Sequence, residues 1–398
     1  MEKFLRLTKK IIKGLVLGIY YLATKLFPVD RNTIVFESNI GRNYSGNPRA
    51  IYEKMVELGL DRKYRIYWIL EDVNLEVLGH ARKIKKDSVR FYYIMAVSGL
   101  WVCDSRFPRY IVKRKKCTYI QTWHGTPLKK LGLDMDDVYM AGGKNIEYYK
   151  EQFLKNTGTW DYLISQNYYS TKIFERAFGF KKKFLEIGYP RNDVLFEKNN
   201  RESIEKLKEE LKLPQDKKVI LYAPTWRDDE YYDVGKYRFN PSLDFEQLRK
   251  ELSEEYILIV KYHYLIMDQV DWTAYKGFIY AFDMSYDIST LYLVSDILMT
   301  DYSSVMFDYS ILKRPMVFYC YDLESYKKEL RGFYFDFIQA APGPIIEESD
   351  VLVEYLKGFD TYKYEQEYKE KYDRFSKEYN HLDDGMASER VVELIENL

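Results

Sequence analysis

The chain has 398 residues, more than one hydrophobic core usually organises, so two domains of roughly 150 to 200 residues each are expected. Its 61 basic and 61 acidic side chains cancel, which argues against a general nucleic-acid binder. Its three cysteines, Cys103, Cys117 and Cys320, are too scattered for a CxxC metal site or a disulfide framework, which suits a reducing, cytoplasmic setting.

The first element is amphipathic. Lys3, Arg6, Lys9, Lys10 and Lys13 interleave with Phe4, Leu5, Ile12, Leu15, Val16, Ile19, Leu22 and Leu26, largely at helical spacing. The uncharged stretch from Gly14 to Thr24 is only 11 residues, whereas crossing a bilayer takes about 20. Residues 1–30 therefore read as a helix that associates with a membrane surface through residues 1–28, ahead of a true span or an ordinary docked helix. No small-residue cleavage site follows, so a removed signal peptide is not expected. Aromatic residues make up 17% of the chain, with 40 tyrosines and 6 tryptophans, which also suggests surfaces that meet sugars, bases or lipid.

From residue 33 onward, β-rich runs at 33–37, 64–70, 100–103, 117–123, 162–165 and 183–187 alternate with helical stretches, the pattern of a parallel sheet wrapped by helices. The charged segment 199–218 is poor in large apolar residues and marks a boundary near 195–215. A second alternation follows, with strands at 218–222, 256–261, 297–299 and 315–319. We read 31–200 and 201–365 as two α/β domains, and 366–398 as charged helices that pack back across them. Such domains bind ligands outside the carboxyl ends of their strands, so function is sought at strand exits.

His124 leaves the strand at 117–123, and Gly125-Thr126-Pro127 then turns the chain sharply. With an ordinary pKa near 6.5 it can accept a proton from an attacking hydroxyl at neutral pH, although a hydrogen-bonded structural histidine is the plainer alternative. The run Ile297-Leu-Met-Thr-Asp-Tyr-Ser-Ser-Val-Met306 carries a strand into a helix, with Asp301 or Ser303 as a cap and free amides at Ser303 and Ser304 suited to a phosphate. Tyr222-Ala-Pro-Thr-Trp-Arg227 places Thr225 and a guanidinium past another strand, and Lys261-Tyr-His263 places a second histidine past the next. Each group alone is commonly a surface or structural residue, but together they suggest a diphosphate site. Asp104-Ser-Arg106 and Gly188-Tyr-Pro-Arg-Asn-Asp193, the latter containing Arg191, follow strands of the first domain and either line the other side of the cleft or simply turn. The basic cluster Arg109, Lys113, Arg114, Lys115 and Lys116 is a solvated face or a contact for anionic headgroups. No GxGxxG follows a strand, and neither GxxxxGK[ST] nor GxSxG occurs. These absences count against a dinucleotide oxidoreductase, a P-loop NTPase and an α/β hydrolase.

Trp123-His-Gly-Thr-Pro-Leu-Lys129, Gly188-Tyr-Pro-Arg-Asn-Asp193, Tyr222-Ala-Pro-Thr-Trp-Arg227, Thr300-Asp-Tyr-Ser-Ser304 and the block from Lys313 through Tyr319 to Arg331-Gly-Phe-Tyr-Phe-Asp336 jointly resemble the CDP-glycerol glycerophosphotransferases that build teichoic acids in Gram-positive bacteria. The resemblance covers about residues 100 to 340. It implies an α/β, GT-B-like fold in which two Rossmann-type domains face each other across a cleft, preceded by the amphipathic helix. In the family the WHGTP histidine is the proposed base, which maps onto His124, and the histidine after the KYH strand contacts donor phosphate, which maps onto His263.

On that resemblance the second domain holds CDP-glycerol through Thr225, Arg227, Asp301, Ser303 and Ser304. Asp322, with Glu324, is placed near the ribose by position alone. Asp104, Arg106, Gly125, Thr126 and Arg191 fall on the acceptor side. The implied reaction passes glycerol phosphate to a hydroxyl of an undecaprenyl-diphosphate-linked ManNAc-GlcNAc at the cytoplasmic face of the membrane, releases CMP, and needs no metal or cofactor. The lack of the extra N-terminal region of the long polymerases favours a primase-like enzyme, with extension or CDP-ribitol use as alternatives. A nucleotide-sugar glycosyltransferase or epimerase, and a non-catalytic nucleotide-binding membrane protein, are the readings outside the family.

Overall fold

The alternation of strands and helices builds two parallel sheets, one in each half of the chain. The computed structural model describes residues 2–136, 145–225, 231–233, 236–237, 243–261, 271–283, 286–323 and 332–398, with the backbone alone at 2–10, 231–233 and 236–237. Arg227, His263 and Glu324 lie outside the described residues.

The first sheet comprises β1 (Asp30–Glu37), β2 (Arg65–Leu70), β3 (Arg82–Lys85), β4 (Ser98–Cys103), β5 (Thr118–Gln121), β6 (Tyr162–Ser165) and β7 (Lys183–Glu186), in the order β3-β2-β1-β4-β5-β6-β7. The second comprises β8 (Lys218–Ala223), β11 (Tyr256–Lys261), β12 (Ile279–Phe282), β13 (Ile297–Thr300), β14 (Met316–Tyr319) and β15 (Ile345–Ile346), in the order β12-β11-β8-β13-β14-β15. A separate antiparallel pair, β9 (Tyr231–Asp233) and β10 (Lys236–Tyr237), falls between β8 and β11 in sequence. Both large sheets are doubly wound, and in each the strand order reverses beside its first strand. That point falls between β1 and β4 in the first sheet and between β8 and β13 in the second. The expected pair of Rossmann-type domains is therefore present.

Helices cover both faces of each sheet, so the strands are apolar on both sides instead of alternating with polar residues. Val35 points into one core with Trp101 and Tyr119, while its neighbours Ile34 and Phe36 point into the opposite core with Trp68 and Val102. The tail joins both halves. The helix Thr361–Tyr379 buries Tyr364, Tyr372, Phe375 and Tyr379 in the second domain's core, and the helix Ala387–Glu396 buries Val391, Val392 and Ile395 against the first.

The N-terminal helix Glu2–Leu26 is docked along one stripe. Tyr20 and Ala23 are buried in the first domain's core, Tyr20 Oη accepts a hydrogen bond from the Val112 amide at 2.7 Å, and Arg114 donates to the carbonyls of Phe27 and Ala96 at 2.7 and 2.8 Å. Its other stripe is bare: Ile12, Leu15, Ile19, Leu22 and Leu26 are each more than half exposed. Among the described residues, no helix is long and apolar enough to cross a membrane.

Candidate active site

The carboxyl ends of the two sheets face a common cleft, and His124 stands where two hollows in it meet. One, of about 320 Å³, is walled by the chain from Trp123 to Leu131 on the first domain and by Pro224, Thr225, Tyr302, Ser303 and Ser304 on the second. The other, of about 540 Å³, includes Asn39, Ile40, Asp104, Arg106 and Arg191 from the first domain and Lys261, Tyr286 and Asp287 from the second. His124 lines both.

The His124 ring stacks on Trp123 with centroids 4.4 Å apart, and its Nδ1 lies 3.0 Å from the backbone carbonyl of Asp104. A carbonyl can only accept, so Nδ1 carries the proton and the neutral ring keeps its lone pair on Nε2. His124 is open to the cleft on one side, yet the surrounding walls remove part of the water around the imidazole and hold its pKa below the usual 6.5. The Asp104 carboxylate opposes that shift, while the Arg191 and Arg106 guanidinium groups add to it. At neutral pH the ring is thus uncharged and able to take a proton.

Asp104 is buried, and its carboxylate accepts from the Asn39 amide at 2.8 Å and the Ser105 hydroxyl at 2.6 Å. Burial raises its pKa, against the pull of His124 and these donors. Arg106 is exposed and lies over the Phe153 ring, 4.6 Å from its centroid. Gly125 brings the domains close together: a β-carbon there would lie 3.2 Å from Ser304 Oγ. Thr126 is buried, its hydroxyl bonded to Gln166 at 2.5 Å, and Arg191 donates to the carbonyl of His124 at 2.8 Å. These last two hold the loop that carries the histidine.

On the second domain, Asp301 is buried and its carboxylate accepts from the Thr225 amide at 2.8 Å, tying the end of β8 to the end of β13. The expected cap is not formed by Asp301 or Ser303. Ser304 begins the helix Val305–Tyr309 without a side-chain cap bond, and that helix has only 5 residues, so its dipole contributes little to any anion placed there. Asp322 accepts from the Tyr302 hydroxyl at 2.8 Å, beside the smaller hollow that Tyr302 lines. Lys261 reaches back to the carbonyls of Asp283 and Tyr286, and burial lowers its pKa to about 8 despite Asp287 and Asp283. Asn47 and Asp308 complete the frame. Neither lies within a motif singled out in the sequence, and only the tertiary structure reveals their part.

The model for the CDP-glycerol:poly(glycerophosphate) glycerophosphotransferase family matches residues 19–397. The chain belongs to this family. It is 45% identical over 402 residues to the teichoic acid poly(glycerol phosphate) polymerase of Bacillus subtilis strain 168, covering 99% of this chain and 52% of that protein. The chain thus spans about half the length of that relative. It is also 42% identical to the teichoic acid glycerol-phosphate transferase of Staphylococcus aureus, covering 97% of this chain and 98% of that one. The solved structure of the wall teichoic acid polymerase TagF superposes with a TM-score of 0.90 at 44% identity, over 100% of this chain and 97% of that one, and confirms the GT-B-like fold. A histidine-to-asparagine variant of TagF soaked with CDPG matches equally well, with a TM-score of 0.90.

Proposed function

We propose that this glycerophosphotransferase family member moves glycerol phosphate from CDP-glycerol to a hydroxyl of a lipid-linked teichoic acid acceptor. The observation that carries the reading is the position of His124, with Nε2 available as acceptor, between one hollow walled by Thr225, Ser303 and Ser304 and another walled by Asp104 and Arg106. The acceptor hydroxyl gives its proton to Nε2 as its oxygen bonds to the β-phosphorus. The bond from that phosphorus to the bridging oxygen breaks, and CMP leaves with the electron pair. Charge on the transferring phosphoryl oxygens is met by Ser303 and Ser304, with Arg227 and His263 assigned to the same task from their motifs.

The acceptor reading moves from a first addition toward extension. Identity to the B. subtilis polymerase is 45%, against 34% over 315 residues to the teichoic acid glycerol-phosphate primase of the same strain. An undecaprenyl-diphosphate-linked disaccharide that already bears glycerol phosphate is the acceptor we expect to be used best. The bare stripe of the N-terminal helix, with Lys13 and Lys25 beside it, supports a peripheral site on the membrane surface. Incubating the protein with CDP-glycerol and this acceptor, and measuring CMP and product mass, tests the reading. CMP accompanied by lengthened product supports it. Bound CDP-glycerol without CMP, using primed or unprimed acceptor, contradicts it.

A further inference from the structure

The residue before His124 is strained. Trp123 has φ of 53°, a left-handed conformation that a bulky side chain keeps only where its surroundings impose it. Gln121 Oε1 accepts from the Trp123 amide at 2.9 Å, and Asn47 Nδ2 donates to the carbonyls of Thr122 and Trp123, both at 3.1 Å. Arg191 Nη1 then fixes the carbonyl of His124 at 2.8 Å, while the Arg191 amide donates to Asn47 Oδ1 at 3.1 Å.

Arg191 is itself held from the other domain. Its Nη2 donates to Asp308 Oδ2 at 2.5 Å, with the two side chains only 14% and 2% exposed. Asp308 cannot swing aside freely, because its Oδ1 accepts from Gln166 at 3.2 Å and from Asn192 at 3.1 Å. The pair is therefore a desolvated cross-domain contact whose other end is the backbone of the base. Desolvation offsets much of the attraction in a buried pair, so the pair is weak evidence for net stability, while removing one partner leaves a buried charge uncompensated. The same peptide segment meets Ser304 at Gly125, and Lys129 bridges to Phe333, so the second domain also meets the loop at two points after the histidine.

We propose that Arg191 and Asp308 are positioning residues that align His124 with the donor side of the cleft only while the two domains are docked against each other. The proposal rests on the reading of His124 as the base. Arg191 also acts through its charge: the charged groups facing the imidazole are Asp104, which favours protonation, and Arg191 and Arg106, which oppose it.

The test uses the full chain with CDP-glycerol and the primed lipid acceptor, following CMP release. Arg191→Lys keeps the charge but cannot make both bonds. It is expected to lower kcat roughly 10- to 100-fold with KM for CDP-glycerol within about 2-fold, and to leave the acid limb of the kcat/KM profile in place. Arg191→Ala is expected to show the same loss, an acid limb moved to higher pH, and partial rescue by added guanidinium. Asp308→Asn is expected to lower kcat with KM kept, and it carries the test together with Arg191→Lys if Arg191→Ala does not fold. Wild-type kcat in a folded Arg191→Lys or Asp308→Asn protein overturns the proposal, as does a loss confined to KM. His124→Ala in the same series separates the two readings. If it is inactive while Arg191→Lys is unimpaired, the positioning role alone fails; if it is active, the base assignment fails.

Discussion

Replacing Gly125 by alanine would probe a close seam between the two domains without removing a titratable group. The added methyl would sit 3.2 Å from Ser304 Oγ, 3.7 Å from Ser304 Cβ and 3.9 Å from Arg191 Nη2. Only the first contact is tight, and a serine hydroxyl can turn away at a cost of about 0.5 to 1.5 kcal/mol. Gly125 does not adopt a left-handed φ, so alanine fits its backbone and regains about 0.4 to 1 kcal/mol by restricting the unfolded chain. The two terms nearly cancel, and thermal unfolding should shift by only about 2 °C or less. Catalysis should suffer far more, because the methyl intrudes between the base and the wall where phosphate is to be held. A displacement of a few tenths of an ångström there is expected to lower kcat/KM for CDP-glycerol by roughly 10- to 100-fold, equivalent to about 1.4 to 2.8 kcal/mol of transition-state binding. Thermal unfolding and initial rates of CMP release, measured on the same preparation, check both halves. An unchanged melting temperature together with unchanged kcat/KM would refute the placement of the reacting phosphate at this seam.

The acid limb of kcat/KM should lie below pH 6.5, since desolvation by the cleft walls, Arg191 and Arg106 outweigh Asp104 in setting the His124 pKa. Removing the exposed charge with Arg106→Gln should move that limb to higher pH, which a pH–rate series would reveal. Leu15→Glu with Ile19→Glu alters side chains 65% and 66% exposed, so unfolding should change by less than about 0.5 kcal/mol per site. Sedimentation with anionic vesicles should fall sharply in that variant, while wild-type sedimentation would show that this stripe is not the membrane contact.

Much of the fold could be read directly because the central strands are apolar on both faces. The runs that became β1, β2, β4, β8, β11 and β13 stand out as short apolar stretches between turn residues. Three of the four edge strands, β3, β12 and β15, do not. β3 is Arg-Lys-Ile-Lys with Ile84 as its one buried residue, β12 exposes Ala281, and β15 is 2 residues long, so the pairing partner and not the local sequence decides their conformation. The site shows the same division. His124, Thr225, Asp301, Ser303 and Ser304 were legible because a polar residue after an apolar strand in a parallel sheet points to the ligand crevice. Arg191 was legible as a strand-exit residue, but its bonds to His124 and Asp308 span 67 and 117 positions in the chain. Asn47 lies at a helix start and Asp308 inside an apolar helix, where helical periodicity alone marks neither. Asp301 shows how local reasoning errs: a carboxylate before a helix suggests a cap, yet the neighbouring strand offers the Thr225 amide, and that cross-strand bond forms instead.

The most direct test compares wild-type and His124→Ala proteins supplied with CDP-glycerol and a glycerol-phosphate-primed lipid acceptor, following CMP release and product mass together. The account predicts that wild type releases one CMP for each glycerol phosphate gained by the product, and that the folded His124→Ala variant is slower by roughly 10²- to 10⁴-fold, the usual loss when a general base is removed. Turnover near the wild-type rate in a folded His124→Ala protein would contradict it.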